Sequence, residues 1–249
     1  MLDRFERRTE NLRRGFVNVG RAVSGIVPDA VKQRLPRRQK KQYPLSGGIV
    51  HPNGLTYTLF AGVNGAGKTS LYRIFNKYED LGVRVNIDEM VAREGSWRDD
   101  MLQIQASRRA LRIIGECIEK RRSFNQETTL PTATIVRQIK KARAAGYQIR
   151  LYFVGVENFQ TAIKRVRKRV QNGGHGVDEK LIRQRFERLP DTLRDVLPLV
   201  DTAFFYDNTV KFIQVAHVRN NVIVDCENDI PVWFWELIAK SRIRQDKTQ

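Results

Sequence analysis

The chain has 249 residues, enough for one large α/β domain or for a domain of about 200 residues with an appendage. Hydrophobic residues make up 41%, which supports a sizeable core, and no apolar run approaches the roughly 20 residues of a membrane-spanning helix. A net charge of +18 favours polyanionic partners, whether nucleotides, nucleic acid or an anionic membrane surface, without choosing among them.

Residues 1–45 hold 12 Lys/Arg against 4 Asp/Glu, so this segment alone carries +8. Its best apolar stretch, Gly15 to Val27, is broken by Asn18, Arg21 and Ser24, and Asp3, Glu6 and Glu10 come early. That pattern fits neither a signal peptide nor a transit peptide, and a cytoplasmic protein is expected. Residues 1–30 are predicted as one or two amphipathic helices, followed by the basic run Arg34 to Lys41 and a turn at Ser46-Gly47-Gly48. Two readings of this arm stay open: an extension that docks a partner or nucleic acid, and a solvated helical add-on. The domain proper is placed at 46–249. Cys117 and Cys226 fall in apolar runs and are expected as buried thiols in a reducing compartment, not as a disulfide. The three histidines form no metal-ligand pattern with them.

From residue 55 strands and helices alternate, which predicts a parallel sheet flanked by helices. Leu55 to Ala61 reads as the first strand, Ser70 to Phe75 as a helix and Val83 to Asp88 as the second strand. A long helix is predicted from Asp99 to Arg121, then a polar third strand over Ser123 to Thr129, assigned from the rhythm of elements. Thr132 to Ala145 is helical with Gly146 as its stop, and Gln148 to Val156 is the clearest interior strand. Helices are predicted from Asn158 to Val170 and from Asp178 to Arg188, separated by a break at Asn172 to Gly176. The fifth strand is Ala203 to Asp207. A hairpin of Lys211 to Val218 and Val222 to Asp225 and a helix from Pro231 to Ile243 close the chain. The expected architecture is therefore α/β, with a five-stranded, mostly parallel sheet flanked by helices, an arginine-rich helical lid, and a C-terminal hairpin and helix.

The segment Gly62-Val63-Asn64-Gly65-Ala66-Gly67-Lys68-Thr69 has two glycines and then Lys-Thr at phosphate-loop spacing, between a strand and a helix. Glycines let successive backbone N–H groups approach phosphate oxygens, and the following helix N-terminus adds partial positive charge. Lys68 then supplies a mobile cation for the β- and γ-phosphates, and the Thr69 hydroxyl is placed to ligate Mg²⁺. A bound nucleoside triphosphate follows. The predicted phosphate contacts are Gly62, Asn64, Gly65, Ala66, Gly67, Lys68, Thr69 and Ser70.

In an open parallel sheet, ligands lie beyond the carboxyl ends of the strands. The second strand ends in Asn86-Ile87-Asp88 and the third in Glu127-Thr128-Thr129, which puts two carboxylates near the phosphates. Transfer to an alcohol needs a carboxylate that accepts the hydroxyl proton. Asp88 is the candidate base, and Glu127 the candidate for orienting the substrate and assisting the metal. Each alone reads equally as a helix cap or a strand-end hydrogen-bonding group. No run of four apolar residues ends in Asp as in ATP-driven motors, which weakens a mechanical role. Arg165 to Val170, Gly173-Gly174-His175 and Arg183-Gln184-Arg185 form two arginine-rich helices about a glycine hinge. They suit a lid that neutralises charge on the transferred group, although composition alone would fit a solvated basic face.

These pieces resemble the zeta toxin family of P-loop kinases, in that family's order: Gly62 to Ser70, Asn86-Ile87-Asp88-Glu89, Glu127-Thr128-Thr129-Leu130, Arg165-Val166-x-x-Arg169-Val170-x-x-Gly173-Gly174-His175, Arg185 and Tyr206-Asp207-Asn208. The resemblance covers about residues 55–210. It implies that Lys68 binds ATP phosphates, that Asp88 is the base, and that Glu127 and Thr129 contact the acceptor. It further implies that Arg169 reaches the γ-phosphate, with Arg185 as the second recurring arginine. By the same resemblance, UDP-N-acetylglucosamine is the leading acceptor and a small antitoxin protein a partner. Two departures stand out: Asp178 occupies a position that is often Pro, and His175 stands near where founding members carry a lid arginine. The residues leave two further readings, a polynucleotide or nucleoside kinase and a non-catalytic, nucleotide-switched binding protein.

Overall fold

The computed structural model describes residues 54–227, 230–241 and 244–245. The predicted N-terminal helices, the basic run and the boundary at residues 45 and 46 lie outside the described residues.

The elements alternate as anticipated: β1 Thr56–Ala61, α1 Lys68–Phe75, β2 Val83–Val85, α2 Ile87–Glu94, α3 Asp100–Glu119, β3 Phe124–Thr128, α4 Thr132–Ala144 and β4 Gln148–Gly155. They continue with α5 Phe159–Gln171, α6 Glu179–Val196, β5 Thr202–Asp207, β6 Ile213–Arg219, β7 Val222–Cys226, α7 Val232–Ser241 and β8 Arg244–Gln245. Strand order is β2-β3-β1-β4-β5-β6-β7-β8. The sheet thus has eight strands among the described residues, not five. The terminal hairpin is not separate: β6 pairs antiparallel with β5, β7 with β6, and both extend the sheet. β8 then adds two residues parallel to β7.

The first five strands are parallel. From β1 the chain works outward to β2 and returns through β3, then α4 carries it to β4 on the other side of β1. Connections therefore leave in opposite directions beside β1, and a crevice opens at the carboxyl ends there. Register places one aromatic ring from each of four neighbouring strands in line. Phe60 stacks on Tyr152 at 5.3 Å, Tyr152 on Phe204 at 5.3 Å, and Phe204 on His217 at 4.4 Å. This ladder of near-parallel rings ties the parallel half to the antiparallel extension through cross-strand side-chain pairs. On the next register step Leu59, Leu151 and Ala203 are fully buried beneath the helices.

Two boundaries differ most from the sequence reading. β2 stops at Val85, because Asn86 turns the chain and caps α2 by accepting from Glu89 N–H at 3.3 Å. Asp88 therefore sits in the first turn of a helix that pattern reading absorbed into the strand. α6 runs on to Val196 through Pro190 instead of stopping near Arg188. The polar third strand is real, and buried: Asn125 Nδ2 donates to Leu81 O at 3.2 Å and Gln126 accepts from the Tyr57 hydroxyl, which removes the penalty of burying both amides. Cys117 and Cys226 are buried in separate elements. No described helix is long and apolar enough to cross a membrane.

Candidate active site

Helix termini show where a ligand is awaited. α2, α3, α5 and α6 open on Asn86, Asp99, Asn158 and Asp178, whose side chains accept from first-turn N–H groups. α1 on Gly67 and α4 on Pro131 have no side-chain cap; at α1, which follows the phosphate loop directly, the leading N–H groups stay available to an anion. Gly67 has φ 109°, and a Cβ there would strike the Asn208 amide, so only glycine fits.

Lys68 is 6% exposed, and its ammonium donates to Val63 O at 3.0 Å, back across the loop. Burial pushes its pKa down; Glu127 and Asp88 pull it up, while Arg169 and Arg185 push it down again. The Thr69 hydroxyl lies 2.8 and 2.9 Å from the two Glu127 carboxylate oxygens. Glu127 is held from the other side by Arg84 Nη2 at 2.8 Å and Asn86 Nδ2 at 3.0 Å, both on Oε2. Arg84 also pairs with Glu89 at 2.8 Å and lies 3.5 Å over the Tyr72 ring. These contacts leave Oε1 engaged by the Thr69 hydroxyl alone among the described residues. Thr69 and Glu127 thus form a pair of hard oxygens. That pair fits Mg²⁺, which takes one or two protein oxygens and completes its shell with phosphate and water. No larger cluster of His, Cys, Asp or Glu suited to a metal occurs among the described residues.

The lid arginines divide sharply. Arg165 donates to Asn208 O at 2.6 Å and Thr209 O at 3.0 Å, clasping the end of β5 behind the loop. Asn208 in turn donates to Ala66 O at 2.7 Å. Arg169, one turn later on α5, has Nε and Nη2 buried with no hydrogen bond. Gly174 makes its position tenable, since a Cβ there would approach Arg169 Cγ to 2.6 Å. Arg185 reaches across from α6 to Asn64 Oδ1 at 2.6 Å, and burial lowers its pKa, with Asp88 opposing. A buried guanidinium with unused donors is a site for a charged oxygen ligand.

His175 links the lid to the candidate base: its Nε2 is 3.4 Å from Asp88 Oδ1, and its Nδ1 is buried without a hydrogen bond. Burial lowers its pKa; Asp88 acts against that, and Arg169 and Arg185 add to it. Trp97, in the turn between α2 and α3, lies 6.1 Å from the His175 ring and against Gly176. The departure at Asp178 also has its reason. Its carboxylate accepts from Lys180 N–H at 2.8 Å and Leu181 N–H at 3.2 Å, so it starts α6 as a cap.

Between β3, α3, α4 and α6 lies a cleft of about 530 Å³ whose walls include Lys68, Asp88, Glu127, Thr129, Gln138 and Arg185. Thr128 accepts from Leu130 N–H at 2.9 Å and Leu130 has φ 57°, a tight turn that brings Thr129 to the wall. Of the predicted residues, Asn64, Lys68, Asp88, Glu127, Thr129 and Arg185 converge on this cleft. Gly62, Gly65 and Ala66 form the loop beside it. Ser70 is exposed. Sequence reading passed over Arg84, Trp97 and Gln138. The one available signal was Arg84 between two valines in a three-residue strand, a cation that burial would oblige to find a carboxylate.

The family model for zeta toxin matches residues 55–221. An uncharacterized protein of Haemophilus influenzae is 26% identical over 127 residues, which is 51% of this chain and 89% of that protein. Among solved structures, AvrRxo1-ORF1 in complex with AvrRxo1-ORF2 and sulphate ions is similar with a TM-score of 0.58 at 13% identity, over 78% of this chain and 66% of that one. The same complex with ATP gives a TM-score of 0.55 at 13% identity, with the same coverage. At that identity the solved structures establish the shared fold. The match of the family model over two-thirds of the sequence, on the elements that carry the phosphate loop and the lid, shows that the chain belongs to the zeta toxin family of P-loop kinases.

Proposed function

We propose that this protein is an ATP- and Mg²⁺-dependent kinase that transfers the γ-phosphate to a hydroxyl of a small molecule, with UDP-N-acetylglucosamine as the leading acceptor. The observation that carries the reading is Arg169: two buried guanidinium nitrogens without a hydrogen bond, on the lid helix that packs over the loop holding Lys68. ATP as donor is supported by the similar fold that binds it. The choice of a nucleotide sugar rests on family membership, and the cleft is large enough for one. A toxin role with a small antitoxin partner is part of the same proposal, supported by a structural relative that forms a two-protein complex.

The chemistry follows from positions. Lys68, Arg169, Arg185 and the open N-terminus of α1 bind the phosphates and neutralise charge on the group in transit. Mg²⁺, held by Thr69 and Glu127, supplies further charge neutralisation when bound. The acceptor hydroxyl enters from the cleft and its oxygen bonds to the γ-phosphorus, while the bond from that phosphorus to the β,γ-bridging oxygen breaks. The hydroxyl proton passes to Asp88, which His175 holds in place. ADP and the phosphorylated acceptor are the products.

Mass spectrometry of a metabolite extract incubated with ATP tests this. Wild-type protein should convert a small molecule to a species heavier by one phosphate; Lys68→Ala should not. Asp88→Asn should bind ATP and fail to transfer. Turnover retained by Asp88→Asn removes Asp88 from its role, and the absence of any phosphorylated product with the wild type refutes the kinase reading.

A further inference from the structure

α4 turns one face to the core, and that face is spaced as a helix requires: Ile135, Gln138, Ile139 and Ala142. The three apolar members are fully buried, and Gln138 is 9% exposed. An apolar side chain would be the ordinary choice at such a position. Gln138 instead carries a buried amide oxygen that accepts no hydrogen bond. It also lines the cleft that runs to Lys68 and Asp88.

The other amides on the cleft wall make the contrast plain. Asn64 accepts from Arg185, and Asn86 donates to Glu127. Gln103 donates to Trp97 O at 3.3 Å, and Gln126 accepts from the Tyr57 hydroxyl. Each of these is satisfied by the protein; Gln138 is not. A buried acceptor without a donor destabilises the fold, so a group that persists there is explained by a ligand that completes it. An amide oxygen repels phosphate and carboxylate and attracts N–H or O–H.

We infer that Gln138 is a specificity-determining residue for the acceptor, taking a hydrogen bond from a neutral N–H or O–H group remote from the hydroxyl that is phosphorylated. The inference deepens the kinase reading and rests on it. The substrate class narrows to molecules with two separated features: a reactive hydroxyl at Asp88, and a neutral donor such as a sugar hydroxyl, an amide or a base N–H against α4. The oxygen is acceptor-only, so an analogue with that donor alkylated leaves it unpaired and is rejected.

The test uses the full chain with γ-labelled ATP and two probes, UDP-N-acetylglucosamine and a bacterial small-metabolite extract. Gln138→Met keeps size and apolar fit but removes the acceptor. It should raise the KM for the acceptor by about 10- to 100-fold, with kcat and the KM for ATP near wild type. Its Tm should rise by roughly 2–4 °C, because an unpaired buried amide has been replaced. Gln138→Glu, which retains an acceptor oxygen at the same reach, should hold KM closer to wild type. A merely structural glutamine would move stability and activity together and leave the acceptor KM unchanged. An unaltered KM in Gln138→Met, beside a wild type that labels product, overturns the inference and leaves the kinase standing. No labelled product from wild type with either probe overturns both.

Discussion

The phosphate loop has a back and a front, and one helix supplies an arginine to each. Behind it, Arg165 is consumed by the Asn208 and Thr209 carbonyls. Asp207 accepts there from Thr209 Oγ1 at 2.7 Å and from Trp233 Nε1 at 2.8 Å. In front, Arg169 has buried nitrogens without a hydrogen bond, and His175 Nδ1 is in the same condition. The back is a closed network in which each donor has found a carbonyl or carboxylate. The front keeps unsatisfied donors beside two carboxylates. Closed networks rigidify, whereas unsatisfied buried groups lower stability and persist where a ligand completes them. The two faces should therefore respond oppositely to mutation.

The largest separation is expected from the arginine pair. Arg169→Ala should lower kcat by roughly 10³-fold, with a melting temperature at or above wild type. Arg165→Ala should instead destabilise by about 1–3 kcal/mol, since it strands two carbonyls, and lose activity in step with folded fraction. Thermal melts beside single-turnover transfer would distinguish these, and equal behaviour of the two variants would erase the contrast. Next in size is Gly174→Ala. The new Cβ would press on Arg169 Cγ at 2.6 Å, displacing that side chain and slowing transfer by about 10²-fold with little change in ATP binding. Wild-type turnover in that variant would show that the lid can yield.

Smaller effects test the frame around the loop. Asp178→Ala removes the cap of α6 and should cost about 1 kcal/mol, read as earlier melting, with a modest rise in KM as Arg185 is held less firmly. The smallest is a pH effect far from either face. His217, stacked on Phe204 and bonded to Thr202 Oγ1 at 2.8 Å, has its pKa lowered by burial, and secondarily by Arg219, to about 4. Between about pH 6.5 and that value the unfolded chain binds the extra proton, so stability rises with pH in this window and is lost as pH falls through it. In denaturant melts across the window, wild type should lose stability relative to His217→Phe as pH falls, and a pH-independent difference between the two would refute this.

Legibility in the sequence followed the range of the interactions. β1 and β4 were plain because β-branched and aromatic runs mark strands without reference to anything distant. β3 was legible only from the rhythm of elements, because Asn125 and Gln126 look like surface residues until Leu81 O and the Tyr57 hydroxyl are brought to them. α2 was missed because eight residues follow a three-residue strand with no glycine or proline between, so the turn at Asn86 left no mark. Spacing alone treats Arg165 and Arg169 alike; the family resemblance singles out Arg169, and the structure supplies the reason by spending Arg165 on the Asn208 and Thr209 carbonyls.

Taken alone, then, the sequence determined what local geometry controls. The glycines of the loop impose their backbone, Lys68 and Thr69 follow at fixed spacing, and Asp178 starts a helix by bonding within three residues. Only the tertiary structure decided which polar groups are spent and which are kept for a ligand. Glu127 meets Thr69 across 58 residues of chain, and Arg185 meets Asn64 across 121. Gln138 Oε1 is unsatisfied because none of the donors folded around it reaches it. Satisfaction of a buried group is a property of its neighbours in space, and no spacing along the chain encodes it.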